Sequence, residues 1–387
     1  MSRIDAALEL LESQRKKDRY HPGAQLYVSH WGDVVCDQAV GRSEEGVDLT
    51  PDHLLPWYDI TKPLVAVAIM QLFESGALNL EDRVSSILEG WDGSKANCTI
   101  RHLLTHMDGL AHINFLDQDI EPSAASAELR LAEPEFRPGT KAHYGATASW
   151  RVLAEIIKAV DGRDIEWFLR EQVWDPLGMQ STYLGISESD QTRLGTWLTP
   201  MHWTGLQQTV IAENGRAKRR SYRVDHLHTT TQHRLKVEPG MGAVGPAHDI
   251  GTFLNAILKG GEGIFRHRST AALMVAAQRI EVRDLAFGGA RLPWGLGVQL
   301  AGGMNGTLGT RAFGHDALTS GRAICDPIEG LVMVLLTNGA CTEYDGAIRA
   351  AQVTEAVYDA VVPRPAGALR TMRPNELGYD AATSLYS

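Results

Sequence analysis

The sequence contains only four cysteines in 387 residues, and no two of them form a C-x-x-C pair. Cys36, Cys98, Cys325 and Cys341 are scattered along the chain. Their spacing predicts neither a disulfide framework nor a zinc knuckle. We therefore expect reduced thiols, most of them buried.

Basic residues are in the minority. The chain has 37 Lys and Arg residues against 47 Asp and Glu residues, which gives a formal net charge of -10. Nucleic acids and anionic membranes favour a basic surface, so this balance argues against either partner. A small-molecule substrate is the expected partner. Nothing in the composition predicts an oligomeric state.

The sequence also lacks a long apolar run. No stretch is long enough to span a bilayer, and residues 1–19 lack the apolar core of a signal peptide. The expected location is therefore the cytoplasm. The composition is 44% hydrophobic and 22% charged, which is typical of a globular protein.

Strand patterns occur at both ends of the chain and helical patterns in the middle. A hairpin is predicted within residues 24–40, around the turn at residues 31–33. Further strands are predicted at 297–300, 322–325 and 331–336, helices at 60–76, 101–104, 148–160, 165–173 and 344–361, and a long loop at 201–239. This order predicts one sheet built from both ends of the chain.

Residues 57–64 are the most informative stretch, because an acid and a lysine lie three residues apart at the start of an apolar helix. Residues with this spacing lie one turn apart on one helix face, so Asp59 and Lys62 can touch. Both lie near the positive end of the helix dipole. Acids are common in a first helical turn, so a purely structural ion pair is the alternative interpretation.

Motifs with a recognisable order and spacing extend along nearly the whole chain. They are residues 54–80, Arg101-His102-Leu103-Leu104-Thr105-His106 with Gly109-Leu110, Pro138-Gly139-Thr140 before Tyr144, residues 175–179, residues 240–244 with Asp249 and Phe253, Gly314-His315-Asp316, Asp326-Pro327 and Leu336-Thr337-Asn338. Together they resemble the serine β-lactamase and penicillin-binding-protein family, in the branch of class C β-lactamases, esterases and D-amino-acid peptidases.

The resemblance implies an α+β fold of the β-lactamase/transpeptidase type. In this fold an antiparallel sheet is flanked by helices, and a second, mainly helical domain lies beside it. We assign residues 1–60 and 250–387 to the sheet domain and residues 61–249 to the helical domain. The active-site cleft is expected between the two.

The resemblance also implies four catalytic parts, of which three are altered. Asp59 replaces the serine nucleophile of S-x-x-K, while the lysine is retained as Lys62. The tyrosine is retained as Tyr144, but Ala146 replaces the amide two residues later. The last strand motif, K-T-G or H-x-G in the family, reads His315-Asp316-Ala317. Alanine there stands where glycine is expected beside an oxyanion hole.

These residues predict a catalytic set of Asp59, Lys62, Tyr144 and His315. A carboxylate that attacks an ester gives a mixed anhydride, so Asp59 is better suited to moving protons or attacking a saturated carbon. Beside a carboxylate the ammonium form of Lys62 is favoured, which makes it a poorer base. Tyr144 can donate or accept a proton, and the unperturbed pKa of His315 is about 6.5. A packed tyrosine and a satisfied strand histidine are the alternatives.

The predicted substrate-binding residues are Tyr58, Trp294, Asp316 and Ala317, although large aromatic residues are more often part of a core or rim. No cofactor motif is present and no metal site is predicted. Other histidines have weaker patterns: His102 and His106 have ligand spacing without a third ligand. His226, His228 and His233 follow a basic cluster of Arg216, Lys218, Arg219, Arg220 and Arg223. The histidines together with these residues can hold an anion or a metal, and a solvated histidine-rich loop is the alternative interpretation.

Three functions follow from these patterns. The first is an enzyme that uses Asp59, Lys62 and Tyr144 for acid–base chemistry on a small molecule, in isomerisation, elimination, cyclisation or hydrolysis without an acyl-serine. The second is a non-catalytic ligand-binding homologue, which the losses at positions 146 and 317 favour. The third is an esterase or β-lactamase-type hydrolase whose nucleophilic serine has been substituted, naturally or by engineering. A change at position 59 alone does not account for the other two positions.

Overall fold

A seven-stranded antiparallel sheet forms the centre of the fold. The computed structural model describes residues 4–115, 120–204, 209–213, 216–220, 230–304, 308–317 and 320–362. The sheet has the strand order β12-β13-β14-β15-β1-β2-β3. Strands from the two ends of the chain meet where β1 pairs with β15, from Ala24 opposite Thr337 to His30 opposite Leu331. The α+β fold and a sheet built from both ends of the chain are therefore confirmed.

The strands are β1 (Gly23–His30), β2 (Asp33–Glu44), β3 (Val47–Asp48), β4 (Leu55–Pro56), β5 (Tyr183–Leu184), β6 (His202–Trp203), β7 (Thr209–Glu213), β8 (Arg216–Arg220), β9 (Ala243–Gly245), β10 (Arg283–Asp284), β11 (Ala290–Arg291), β12 (Gln299–Leu300), β13 (Phe313–Ala317), β14 (Gly321–Asp326), β15 (Leu331–Thr337) and β16 (Gly339–Ala340). The α-helices are α1 (Asp5–Ser13), α2 (Lys62–Glu74), α3 (Ile100–Leu104), α4 (Pro122–Leu131), α5 (Ala148–Asp161), α6 (Ile165–Leu169), α7 (Asp175–Leu177), α8 (Glu188–Leu194), α9 (Thr231–Leu235), α10 (Ala247–Leu258), α11 (Arg268–Val275) and α12 (Glu343–Val361).

Strand β15 is buried on both faces, which explains its unbroken apolar sequence. Successive side chains of a strand point to opposite faces, so alternate residues join different cores. The main core receives Val332, Val334 and Leu336, and a second core, shared with α1 and α12, receives Leu331, Met333 and Leu335. Helices therefore cover both faces of the sheet.

Helix α2 lies in the middle of the main core. Every residue from Lys62 to Met70 is buried, and a helix that is apolar nearly all round is expected in an interior. Its neighbours include α5 and α6 of the helical region. Gly76, with φ of 77°, follows its C-terminal end. The sequence of this helix therefore places Lys62 in the protein interior.

Most of the predicted elements are present, with two corrections. The strand predicted at 297–300 begins only at Gln299, because Gly297 has φ of 72° and lies so close to α2 that a Cβ there would be 2.4 Å from that of Ala66. The long loop predicted at 201–239 was wrong in part: β6, the paired strands β7 and β8, and helix α9 lie within it. Arg223, His226 and His228 lie outside the described residues.

The four cysteines are free and buried, as predicted. No helix among the described residues is long and apolar enough to cross a bilayer. The division into a domain of residues 1–60 and 250–387 and a domain of residues 61–249 stays a prediction.

Candidate active site

Asp59 and Lys62 are brought together by the start of helix α2. Residues Tyr58–Thr61 form a 3-10 turn that continues directly into α2, with Pro63 in the first turn of the helix. The Lys62 Nζ donates a hydrogen bond to Asp59 Oδ1 at 2.6 Å and another to the Gly240 carbonyl oxygen at 3.0 Å. The predicted contact between the acid and the lysine is therefore present.

Tyr144 donates its hydroxyl hydrogen to the same oxygen, Asp59 Oδ1. The Lys62 ammonium also lies 5.4 Å from the centre of the Tyr144 ring. Among the described residues, none donates a hydrogen bond to the second carboxylate oxygen, Oδ2. The side chain of Asp59 is 6% exposed, whereas that of Lys62 is fully buried. The carboxylate is therefore slightly more accessible than the ammonium it pairs with.

Burial and pairing act in opposite directions on the two charges. Burial raises the pKa of Asp59, but Lys62, His315 and the hydrogen bond from Tyr144 lower it more, so the carboxylate is ionised at neutral pH. Burial lowers the pKa of Lys62, and Asp59 only partly opposes this effect. The expected influence of Asp59 on Lys62 is present, but burial of the ammonium outweighs it and sets the net direction of the pKa.

His315 lies on β13 and is 1% exposed. Its Nδ1 is 2.8 Å from the carbonyl oxygen of Asp316. A carbonyl can only accept, so Nδ1 carries the proton and Nε2 carries the lone pair. Among the described residues, Nε2 has no hydrogen-bond partner. Burial lowers the pKa of His315 to about 4, although the charge of Asp59 raises it. The imidazole is therefore neutral at neutral pH, with an acceptor nitrogen near Asp59.

A group of aromatic rings packs behind Tyr144. The rings of His106 and Trp294 lie 4.5 and 5.7 Å from that of Tyr144, and the ring of His315 lies 6.0 Å from it. Trp294 has no exposed surface. It supports Tyr144 from behind, so its substrate-binding role stays a prediction that the burial does not favour.

The other predicted substrate-binding residues have different surroundings. Tyr58 is buried with φ of 47°, a strained conformation for a side chain of its size, and burial raises its hydroxyl pKa. Asp316 pairs with Arg322 through both oxygens, at 2.6 and 2.7 Å. Ala317 ends β13 and is 2% exposed. Their roles in substrate binding stay predictions.

Two ion pairs near the site had not been recognised in the sequence. Arg279 and Asp284 lie 2.9 Å apart, both with fully buried side chains, and Asp284 Oδ1 accepts the main-chain N–H of Tyr144. Arg151 lies 2.6 Å from Glu238, whose pKa is raised by burial against the pull of Arg151. These residues come from separated segments without periodicity or motif, so no local signal marks them.

The described residues contain no group of three or more His, Cys, Asp and Glu side chains placed to hold a metal ion. His102 and His106 each have a local structural partner. The Nδ1 of His102 accepts the Thr99 N–H in a helix cap, and the Nδ1 of His106 accepts the Gly145 N–H. The contacts of His102 and His106 are therefore those of a helix cap and of packing between loops.

The sheet, the buried helix α2 and the residues around Asp59 define an α+β protein with the architecture of serine acyl-transfer enzymes. The sequence matches the Beta-lactamase family model over residues 8–358, and the chain therefore belongs to the Beta-lactamase family. The resemblance seen in the motifs is confirmed at this level.

Curated relatives are similar over part of their length. Esterase EstB of Burkholderia gladioli is 27% identical over 202 residues, 46% of this chain and 50% of that protein. Lovastatin esterase of Penicillium rubens is 27% identical over 222 residues, 48% of this chain and 54% of that protein. The chain thus spans about half the length of the curated relatives it matches.

Solved structures are similar over nearly the whole chain. A penicillin-binding protein homologue from Caulobacter crescentus has a TM-score of 0.74 at 23% identity, covering 93% of this chain and 98% of that one. EstCE1, a hydrolase with promiscuous acyltransferase activity, has a TM-score of 0.73 at 18% identity, covering 92% and 98%. At these identities the likeness shows the fold.

Proposed function

We propose that this protein is an enzyme in which Asp59 serves as a proton acceptor for a small organic substrate. The observation that carries the proposal is the unequal use of the two carboxylate oxygens. Oδ1 accepts hydrogen bonds from Lys62 and Tyr144, whereas Oδ2 accepts none from the described residues. One oxygen thus anchors the carboxylate and the other is left for the substrate.

The charges around Asp59 keep it in the form that can accept a proton. Asp59 is ionised at neutral pH because its pKa is lowered by Lys62 and Tyr144 against the effect of burial. When Oδ2 takes a proton, these two donors remain on Oδ1 and keep the group oriented. General base catalysis of this kind contributes about 10²–10⁴-fold. The proton can return to the substrate at another atom, to a leaving group or to water.

His315 supplies a second acceptor of different strength. Its Nε2 carries a lone pair, and its ring lies near the Tyr144 ring. A substrate hydroxyl or N–H can donate to this nitrogen, while Tyr144 keeps its hydroxyl hydrogen on Asp59 Oδ1. The reactions compatible with this set are isomerisation, elimination, cyclisation and hydrolysis by an activated water.

Acyl transfer through position 59 is disfavoured on chemical grounds. A carboxylate attacking an ester would form a mixed anhydride from a stable anion. In addition, Lys62 donates its hydrogens to Asp59 and to the Gly240 carbonyl, so it is not placed as a free base. The departures in the motif and the contacts of Lys62 support the same interpretation.

The test compares the parent protein with Asp59→Asn and Asp59→Ala. Each is incubated with a broad metabolite mixture and with ester and β-lactam reporters, and turnover is followed by mass spectrometry. We expect a metabolite to be consumed by the parent and spared by both variants. The control is Glu89→Gln, which removes a carboxylate from an exposed position and should leave turnover unchanged. Equal turnover by the parent and Asp59→Asn would refute the role of Asp59.

Family membership favours a hydrolase as the second candidate. The names of EstB and of lovastatin esterase describe ester-cleaving relatives. If this activity is retained without a serine, ester reporters will be cleaved by the parent and the rate will follow the ionisation of Asp59. If instead a ligand binds equally to the parent and to Asp59→Asn without being consumed, the protein is the non-catalytic homologue.

A further inference from the structure

Arg279 and Asp284 form an ion pair with fully buried side chains, their Nη2 and Oδ2 atoms 2.9 Å apart. Taking two charges out of water is costly, and replacing such a pair by apolar residues often leaves a protein equally stable. A contribution to stability therefore does not by itself explain why these two positions carry buried charges. Its other contacts connect it to Tyr144.

The Asp284 end holds the chain at Tyr144 and just before it. Asp284 Oδ1 accepts the main-chain N–H groups of Tyr144 and Ala286, each at 3.1 Å. Next to it, the Leu285 N–H donates to the Ala142 carbonyl at 2.9 Å. The segment before Tyr144 is thus fastened to β10 through both the side chain and the main chain.

The Arg279 end holds the surface behind the Tyr144 ring. Its guanidinium lies 4.9 Å from the centre of the Trp294 ring, which in turn packs 5.7 Å from that of Tyr144. Arg279 Nη1 donates to the Thr105 carbonyl at 3.0 Å, one residue before His106. One arginine therefore contacts Trp294 and the residue before His106, and the rings of Trp294 and His106 are two of those that pack against Tyr144.

The geometry points to Arg279 and Asp284 as positioning residues that keep the Tyr144 hydroxyl on Asp59. This inference rests on the proposed acid–base function for its catalytic meaning, but its structural content can be tested separately. The physical reason is that a displacement of about 1 Å at a reacting group can cost about 10²-fold in rate. The pair lies outside the reacting atoms and acts through Tyr144.

The test uses a double variant, Arg279→Met with Asp284→Leu, which leaves no unpaired buried charge and therefore favours retention of the fold. Crystal structures of the parent and the variant give the distance from Tyr144 Oη to Asp59 Oδ1. We expect this distance to increase by about 1 Å or more. In proton NMR, we also expect loss of the downfield resonance of the Tyr144 hydroxyl, which Tyr144→Phe assigns.

Two further variants separate positioning from general stability. Arg279→Lys keeps the charge opposite Asp284 and should retain the bond between Tyr144 and Asp59. Asp326→Asn is the matched control, because Asp326 is fully buried and, like Asp284, accepts main-chain N–H groups with one oxygen. Its other oxygen accepts the hydroxyl of Tyr358. It should destabilise the protein without moving Tyr144.

An unchanged distance between Tyr144 and Asp59 in a folded double variant would overturn the inference, and so would equal displacement in Asp326→Asn. If the double variant does not fold, Arg279→Gln is analysed by the same two measurements and decides in the same way. Failure of the proposed function would give a different result. In that case Asp59→Asn would retain turnover, while the position of Tyr144 would still depend on Arg279 and Asp284.

Discussion

Lys62 donates to Asp59 across 2.6 Å, and the lysine is the more deeply buried of the two. The acid is therefore the more exposed member of the pair. This arrangement differs from a surface ion pair in a first helical turn, which contributes only a few tenths of a kcal/mol. A buried charge depends on its partner, because the charge left behind when one partner is removed is costly.

The first prediction concerns the stability of this pair. Asp59→Leu leaves the Lys62 ammonium in the core without a counter-charge, and we expect the free energy of unfolding to fall by about 3–5 kcal/mol. The double variant Asp59→Leu with Lys62→Met should recover much of this loss. Urea denaturation of the parent, both single variants and the double variant measures the coupling. Additive effects of the two substitutions would contradict a tight pair.

The second prediction concerns stability at acidic pH. The folded pKa of His315 is about 4, below the ordinary value of 6.5, so the unfolded chain binds more protons than the folded one between these values. Stability therefore falls as pH drops from about 6.5 to about 4, by about 3 kcal/mol in total from this residue. His315→Gln should flatten this part of the stability curve. Asp59 acts at lower pH, since its lowered pKa places its loss of stabilisation below about 3.8.

The pH measurement is urea denaturation at intervals from pH 7 to pH 4. Other buried histidines with lowered pKa values, such as His21 and His106, contribute in the same range. The informative quantity is therefore the difference between the parent and His315→Gln. Parallel curves for the two proteins would mean that His315 does not remain neutral in the folded state.

The third prediction concerns the serine that the motif resemblance implies at position 59. Asp59→Ser introduces this nucleophile, but Ala317 still stands where the resemblance implies glycine. We expect weak cleavage of an ester reporter by Asp59→Ser and faster cleavage when Ala317→Gly is added. The reason is that the Cβ of Ala317 narrows the expected oxyanion hole and the glycine removes it. Release of the chromogenic alcohol measures both rates. No cleavage by the double variant would place the loss of acyl transfer elsewhere than these two positions.

The sequence predicted the sheet and the centre of the site because their signals are local. Strand β15 is an unbroken apolar run, and Asp59 and Lys62 are three residues apart on one turn. Tyr144 and His315 were placed near them only by the family motifs, since they lie far apart in sequence. The structure brings both close to Asp59: Tyr144 donates a hydrogen bond to it, and the charge of Asp59 raises the pKa of His315 against the effect of burial.

Other features could not be predicted because they arise from packing between distant segments. Arg279 contacts the Thr105 carbonyl, and Asp284 contacts the N–H of Tyr144, across sequence separations of 174 and 140 residues. Neither contact has a periodicity or a motif. The net pKa direction of Lys62 was also missed, because it depends on how completely the ammonium is buried, and a sequence shows only the neighbouring acid.

The fourth prediction concerns the charge of the ligand. Four cations around the site, all among the described residues, are each paired with an acid. The pairs are Lys62 with Asp59, Arg151 with Glu238, Arg279 with Asp284 and Arg322 with Asp316. A ligand carboxylate would have to compete with these acids for a cation, and it would also meet the charge of Asp59. We therefore expect benzoate to bind no more tightly than benzyl alcohol.

Calorimetric titration of both ligands into the parent, Asp59→Asn and Glu89→Gln tests this expectation. Asp59→Asn should improve the affinity for benzoate by about tenfold, or about 1.4 kcal/mol, because Lys62 then lacks its counter-charge. Glu89→Gln removes an equal charge at an exposed position and should change neither affinity. If the parent prefers benzoate by tenfold or more, or about 1.4 kcal/mol, a cation other than the members of these four pairs reaches the site. The paired charges around Asp59 would then not determine which ligands are accepted.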